Sequence, residues 1–474
     1  MKQKKLISFI TMLVMSFGFI GFITVPSSAT DNSQNATLIM WTTETEAART
    51  AIIEGIASRF TGATVEVVAV DENELPEQIT TAKAGNTLPD VVQLAYEYIG
   101  GWVNDGILDA TRATTTIGDI SNLGGLPIVA NPGSSGDSDK YGAVPIDGWV
   151  QGIWYRTDLF DAKGLAAPDS YEHIMAAASA FYNVTDPLNP FYGIVIGTDP
   201  KAVYTQQCYE HFALANGARA LDKNGNAALD TPEQVEALEY YTDLAAYGPK
   251  GFNDWDAANQ LYLTGKAAMM VYSTFIADDI LGLQARPWTA VPDLGSKTGF
   301  QASIEGNHSE KATYGQVQAL GITVGASDQA EAFIKHILNN DNEYLNWLHM
   351  AITGKMPLKQ TPAILANWTQ NEVFAPYDGL APAILEGFDN IARWGLIDGN
   401  SYSTKIATLY SELIMPKAVV EVISNISDAQ TAVTNAQADF KKALGETTGA
   451  PGFGVLSLFS LITLAIVFRK KKKF

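Results

Sequence analysis

Between Thr37 and Leu94 the chain alternates short apolar runs with longer stretches of helical period. Thr37–Trp41 is apolar, and Glu46–Phe60 places Ile52, Ile56 and Phe60 at i, i+4 and i+8, with Ile53 beside them. Thr64–Val70 is valine-rich and alternates around Glu66. A helical stretch near Glu74–Ala84 stops at Gly85, and Pro89–Leu94 is a third apolar run. A period of two, then 3.6, then two again is the pattern of a βαβαβ unit. Parallel strands need crossover helices, which cover the faces of the sheet, so the class is α/β. Ligands of such sheets bind beyond the carboxyl ends of the strands, a rule that nominates Thr42–Glu46 and Ala95–Tyr98.

From about Trp149 onward the pattern is mostly helical. Thr231-Pro232-Glu233-Gln234 is a capping box with Pro at the first helical position, opening a helix that carries Val235, Leu238, Tyr241 and Ala245. Ser327 starts another, with Phe333, Ile334, Ile337 and Leu338 inward. Ser427-Asp428-Ala429-Gln430 opens the last, with Val433, Ala436 and Phe440 inward and Gly445 at its end. At 474 residues, two domains or one large two-lobed one are expected.

The ends set the compartment. Lys2, Lys4 and Lys5 precede an apolar run, Leu6–Val25, and small residues end at Ala29, so 1–29 reads as a secretory signal peptide whose length would also suit a retained anchor. Gly452–Phe468 is uncharged and is followed by a basic tail at 469–473, which predicts a short C-terminal membrane helix with its cations on the cytoplasmic side, reached through a linker at 445–451. The body then lies on the extracellular face. Without the eight terminal cations the net charge of −20 becomes −28, which argues against nucleic acid as a partner. The lone cysteine, Cys208, forbids an intramolecular disulfide and any multi-cysteine metal site. Five glycosylation triplets begin at Asn35, Asn183, Asn307, Asn367 and Asn425.

Enzyme signatures are weak. Gly295-Ser296-Lys297-Thr298 lacks the first glycine of a phosphate loop, Ala290 standing in its place. No metal-ligand spacing links the five histidines. Asp222, Asn224, Asn226 and Glu233 fall in a calcium-loop register, but Ala227 occupies the position that needs glycine, so an ordinary turn before a helix is expected. Tyr240-Tyr241 reads as helix core. Sequence spacing leaves a glycosidase carboxylate pair open. Aromatics gather near the nominated strand ends and turns: Trp41, Tyr96, Tyr98, Trp102, Trp149, Trp154 and Tyr155. Sugars present apolar C–H faces and rings of hydroxyls, so a sugar site needs flat aromatics with carboxylates or amides, although core packing explains any one of these.

At these residues the chain resembles the extracellular solute-binding proteins of the maltose-binding type that serve ABC importers. The likeness rests on Leu88–Leu94 with Gly100-Gly101-Trp102 and Gly106-Ile107-Leu108, on Tyr141–Pro145 through Tyr155–Phe160, on Gly265–Met270, and on Gly354-Lys355-Met356-Pro357. Pro451-Gly452-Phe453 before the apolar tail resembles an archaeal C-terminal sorting signal. The resemblance implies a two-lobed periplasmic-binding-protein-like fold (type II), each lobe a sheet flanked by helices, with the ligand cleft between them. One lobe would comprise 36–146 with 288–336, and the other 147–287 with 337–444.

Carried over position by position, the resemblance assigns Glu97 as a sugar-bonding carboxylate. It puts Tyr98 where relatives have Arg and Trp149 where they have Glu. Phe275 takes the place of a stacking Trp, and Thr43, Glu44 and Thr45 form a ligand-touching loop. Tyr96, Tyr204, Gln207 and Trp394 complete the expected site. The expected function is capture of a small neutral solute, a sugar or oligosaccharide, for an ABC permease, with neither catalysis nor a cofactor. Excess carboxylates in the cleft would favour a cation such as a polyamine. A peptide ligand and a surface glycoside hydrolase are the other readings.

Overall fold

The structure, a computed structural model, describes residues 37–124, 141–282, 290–351, 354–374, 380–389, 391–397, 401–403 and 405–446. The expected signal peptide, the C-terminal helix with its basic tail, most of the linker and the Asn35 triplet lie outside the described residues. Among the described residues no helix is long and apolar enough to cross a membrane.

The βαβαβ unit forms as the periodicity predicts. Strands β1 (Thr37–Thr42), β2 (Thr64–Ala69) and β3 (Val91–Ala95) run parallel with β1 in the middle, Thr37 opposite Thr64 and Met40 opposite Val91. Helices Ala47–Arg59 and Leu75–Gly85 make the crossovers, the second closed by Asn86 in the left-handed region, φ 53°. Ile53 and Ile56 are fully buried, whereas Ile52 and Phe60 are half-buried at the edge of the same core. β3 is buried along its whole length, as expected of a parallel strand covered on both faces.

Two long strands then carry the sheet from one lobe to the other. β4 (Val144–Arg156) spends its first half beside β10 (Tyr314–Ile322), which in turn pairs with β3. Its second half pairs with β6 (Ala267–Ser273), and β6 pairs with β5 (Tyr192–Val195) in parallel. The sheet order β2-β1-β3-β10-β4-β6-β5 is thus continuous across both lobes, with β7 (Thr298–Gln301) and β11 (Met356–Pro357) also on β4. β8 (Ile304–Glu305) and β9 (Lys311–Ala312) form a separate small pair.

Lobe membership differs from the sequence expectation at two places. Of residues 298–312, expected in the first lobe, Thr298–Gln301 pair with the far half of β4 and the stretch after them reaches second-lobe backbone: Glu305 N–H donates to Asp169 O at 2.8 Å and Gly306 N–H to Ala215 O at 3.1 Å. Residues after 337, expected in the second lobe, begin with the helix Asp341–His349, whose Tyr344, Trp347 and Leu348 sit in one core with Ile53, Ile56 and Ile146. The physical reason is that the returning crossing strand is β10. The chain therefore changes lobe at Tyr314, and two helices after β10 are needed to cover the first lobe's sheet.

Two of the three expected helix starts carry a side-chain cap, at Thr231 and at Asp428, whereas Asp328, the N-cap after Ser327, makes none. Thr231 Oγ1 accepts from Gln234 N–H at 3.3 Å, and Asp428 accepts from Thr431 N–H at 2.7 Å. Phe333, Ile334, Ile337 and Leu338 are fully buried. Asn183, Asn307, Asn367 and Asn425 are all exposed. Cys208, on the helix Val203–Ala215, is fully buried, and that burial pushes its thiol up to about 12.

Candidate functional site

Segments from both lobes meet around a cavity of about 290 Å³. The carboxyl end of β1 delivers Thr43, Glu44, Thr45 and Glu46, the end of β2 delivers Asp71 and Glu72, and β3 contributes Gln93. These are the positions that a parallel sheet offers to ligands. The crossing strands supply Trp149 and Gln151 from β4 and Gln318 from β10. The second lobe closes the far side with Tyr204 and Gln207 on the helix Val203–Ala215, with Trp255, Asp256 and Asn259 on the helix Trp255–Leu263, with Tyr272 at the end of β6 and with Phe275 just after it.

The wall nearest β1 is built on a buried charge cluster. Lys355, fully buried, lies 2.7 Å from Glu44 and 3.1 Å from Asp147, and Trp347 Nε1 donates to Asp147 at 2.6 Å. Arg49 approaches Glu44 at 3.5 Å and Glu46 at 3.8 Å, and its guanidinium stands 5.0 Å from the Phe275 ring centroid. Burial pushes the Glu44 carboxyl up, but Lys355 and Arg49 outweigh it and leave the group below its usual range. Burial likewise opposes the charge on Lys355, while Asp147 and Glu44 outweigh it and raise the ammonium. At Asp147 burial wins, and that carboxyl is raised. Gly354 fixes the ring above the cluster, since a Cβ at that position would lie 2.6 Å from the Phe275 ring.

A second arrangement controls which atom of Gln318 meets the cavity. Gln316 Nε2 donates to Glu97 Oε1 at 2.8 Å, and Gln318 Nε2 donates to Gln316 Oε1 at 2.9 Å. Each amide thus turns its oxygen away from Glu97, and Gln318 Oε1, buried, has no donor in the protein. Asn259 repeats the theme from the other lobe. Its Nδ2 donates to Tyr272 Oη at 3.2 Å, leaving a buried Oδ1 that no protein group satisfies. Glu72, at the cavity wall, has its carboxyl pushed up to about 8 by burial and by the neighbouring carboxylates of Glu97, Asp71 and Glu44.

Of the residues expected from sequence, Thr43, Glu44, Thr45, Trp149, Tyr204, Gln207 and Phe275 line this one cavity. Tyr96, Glu97, Tyr98 and Trp394 lie outside the lining. The helix Tyr96–Asn104 starts directly after β3 with no intervening loop, so its first side chains turn into the packed interior. Tyr98 stacks on Trp102 at 5.3 Å, and Trp394 Nε1 donates to Ala218 O at 3.0 Å. Glu97 instead faces Arg393 at 3.5 Å. Arg393 Nε donates to Glu210 at 2.8 Å, Nη1 donates to Gly315 O at 2.8 Å, and Tyr96 and Tyr314 present their ring faces to the guanidinium. Asp222, expected to form a turn, accepts from the backbone N–H of Asn224 and Asn226, both at 2.8 Å. Among the described residues no group of three or more His, Cys, Asp or Glu side chains could hold a metal ion.

Sequence reasoning missed Asp71, Glu72, Gln93, Gln151, Trp255, Asp256 and Asn259. Asp71 and Glu72 carried a signal, since they follow a parallel strand and the rule that nominated Thr42–Glu46 covers them equally.

A family model described as bacterial extracellular solute-binding protein matches residues 51–376. The chain belongs to that family. It is an extracytoplasmic solute-binding protein, not an enzyme. This solute-binding protein is 26% identical over 415 residues to YcjN of Escherichia coli (strain K12), named as an ABC transporter periplasmic-binding protein; the match covers 86% of this chain and 92% of that one. Its fold matches an ABC transporter solute-binding protein of Agrobacterium radiobacter K84 in complex with ribitol, at TM-score 0.69 and 22% identity over 86% of this chain and 98% of that one. It also matches maltose-bound MalE3 of T. maritima, at TM-score 0.69 and 16% identity over 86% of this chain and all of that one.

Proposed function

We propose that this solute-binding protein captures a small sugar between its lobes and presents it to an ABC permease on the outer face of the cell membrane. The observation that carries the reading is the composition of the cavity. Trp149, Trp255 and Phe275 offer flat apolar surfaces, and between them stand the amides of Gln93, Gln151, Gln207, Gln318 and Asn259. Aromatic faces suit pyranose C–H surfaces, and amides both donate to and accept from hydroxyls. The ribitol and maltose complexes of the fold relatives support the same class of ligand. Gly452–Phe468 and the basic tail behind it support a C-terminal tether.

Closure of the lobes about β4 and β10 would let a permease distinguish loaded from empty protein, because a ligand shifts that equilibrium only through contacts made in one state. A thermal-shift screen of the full chain against sugars, polyamines and peptides tests the reading, since a ligand that binds the folded form alone raises the melting temperature. Stabilisation by sugars is expected. Stabilisation by polyamines or peptides with none by any sugar would sink it.

A further inference from the structure

The polarity of the cavity narrows the class of sugar. Its lining holds six carboxylates, those of Glu44, Glu46, Asp71, Glu72, Asp256 and Asp279, and Arg49 is the one cation lining it among the described residues. That cation lies 3.5 Å from Glu44 and 3.8 Å from Glu46, which balance its charge, while its buried Nε–H is left for an acceptor such as a ligand hydroxyl. The Lys355 ammonium behind the wall is shared between Glu44 and Asp147. Each cation is thus matched by nearby carboxylates, and the lining as a whole stays acidic.

Two independent atoms point the same way. Gln318 Oε1 and Asn259 Oδ1 belong to side chains only 6% and 5% exposed, both line the cavity, and neither has a donor in the protein. A buried acceptor without a donor costs about 1–3 kcal/mol, so its occupant should bring N–H or O–H groups. The orphaned acceptors sit on opposite lobes, one on a crossing strand and one on the helix Trp255–Leu263, so a donor-rich ligand would bond to both across the cleft.

We infer that the solute is an amino sugar, a polyhydroxylated ring carrying a protonated amine, rather than a neutral sugar. This rests on the sugar reading above. The ring stacks on the aromatic walls, hydroxyls bond to the amides, and the ammonium takes its place among the carboxylates, where a tryptophan face adds cation–π attraction. A polyamine would need the carboxylates and aromatics but would leave the row of amides without hydroxyls to bond. The Glu72 carboxyl, pushed up to about 8 first by burial and then by the neighbouring carboxylates, fits the same picture, because it retains a proton that an incoming ammonium would release.

Titration calorimetry of the full chain at pH 7 decides it, with glucosamine, galactosamine and mannosamine set against their parent hexoses, their N-acetyl derivatives and spermidine. A hexosamine is expected to bind about tenfold or more tighter than its parent hexose and its N-acetyl form, the worth of one charge-assisted hydrogen bond. Heats that vary with the ionisation enthalpy of the buffer would report release of the proton. Asp71→Asn with Asp256→Asn, two exposed lining positions on opposite lobes, should bring the hexosamine-to-hexose affinity ratio down toward one, whatever the change in hexose affinity itself. Equal or tighter binding of a neutral hexose overturns the inference and leaves the sugar reading standing. Binding of spermidine with no sugar, charged or neutral, overturns both, and binding of nothing in the panel overturns the inference.

Discussion

Gln318 Nε2 lies 2.9 Å from Gln316 Oε1, and this one hydrogen bond decides that the cavity meets an amide oxygen rather than an amide nitrogen at that point. Glu97, which does not line the cavity, acts through the pair by accepting from Gln316 at 2.8 Å. Gln318→Met keeps the length of the side chain and removes the acceptor. Solute affinity should fall about tenfold in calorimetric titration while the urea midpoint stays close to that of the parent.

Arg393 joins three parts of the chain behind the crossing strands. Its bonds run to Glu210 of one lobe, to Gly315 of β10 and toward Glu97 of the other lobe. Removing one partner of a buried ion pair leaves the other uncompensated, at a cost of about 3–5 kcal/mol. Arg393→Met should therefore lower unfolding free energy by that amount in urea titrations. The double variant with Glu210→Gln should recover part of the loss. Full retention of stability by Arg393→Met would show that the cluster carries little.

Gly354→Ala places a methyl group 2.6 Å from the Phe275 ring and 2.8 Å from its Cα. Overpacking of this kind costs about 1–3 kcal/mol. Phe275 would be displaced from its position against Arg49 and Lys355, so affinity should fall along with stability. A crystal structure of the variant would show whether the ring has moved.

His211 is fully buried, and its Nε2–H donates to Ala312 O at 3.1 Å. Burial lowers its pKa from 6.5 to about 4. Below pH 6.5 the unfolded chain therefore takes up a proton that the folded chain refuses, so stability falls as pH drops from 6.5 toward 4 and levels off beneath that window. At about 1.4 kcal/mol per pKa unit the contribution approaches about 3 kcal/mol. Urea titrations at pH 7, 5 and 4 should show a smaller decline for His211→Asn than for the parent, whatever its starting stability.

How far the chain could be read follows from the range over which each feature is determined. β1, β2, β3 and their helices were legible because periodicity is local, and the same unit pointed to Thr43, Glu44 and Thr45. Trp149, Tyr204, Gln207 and Phe275 came from the resemblance, and all four line the cavity. Tyr96, Glu97 and Tyr98 obeyed the same strand-end rule yet lie outside it, because a helix that begins without a loop gives its first turn to the core. The Lys355–Asp147 pair spans 208 residues, and no local pattern announces a contact made only when β11 lies against β4. Trp255, Asp256 and Asn259 were hidden for a related reason: a helix of the second lobe brings them to strand ends of the first. The lobe boundaries missed for the same cause, since the point at which a chain crosses between lobes is a property of sheet pairing.

The burial of Cys208 has a practical consequence for spectroscopy. A native thiol that is shut away and held protonated near neutral pH will not consume maleimide or iodoacetamide dyes. A single cysteine introduced on the rim of the cleft would then be the sole labelled position, with no background to remove. One fluorophore placed there would turn the closing of the lobes into an optical signal, and the folded protein into a reagentless sensor for its own solute.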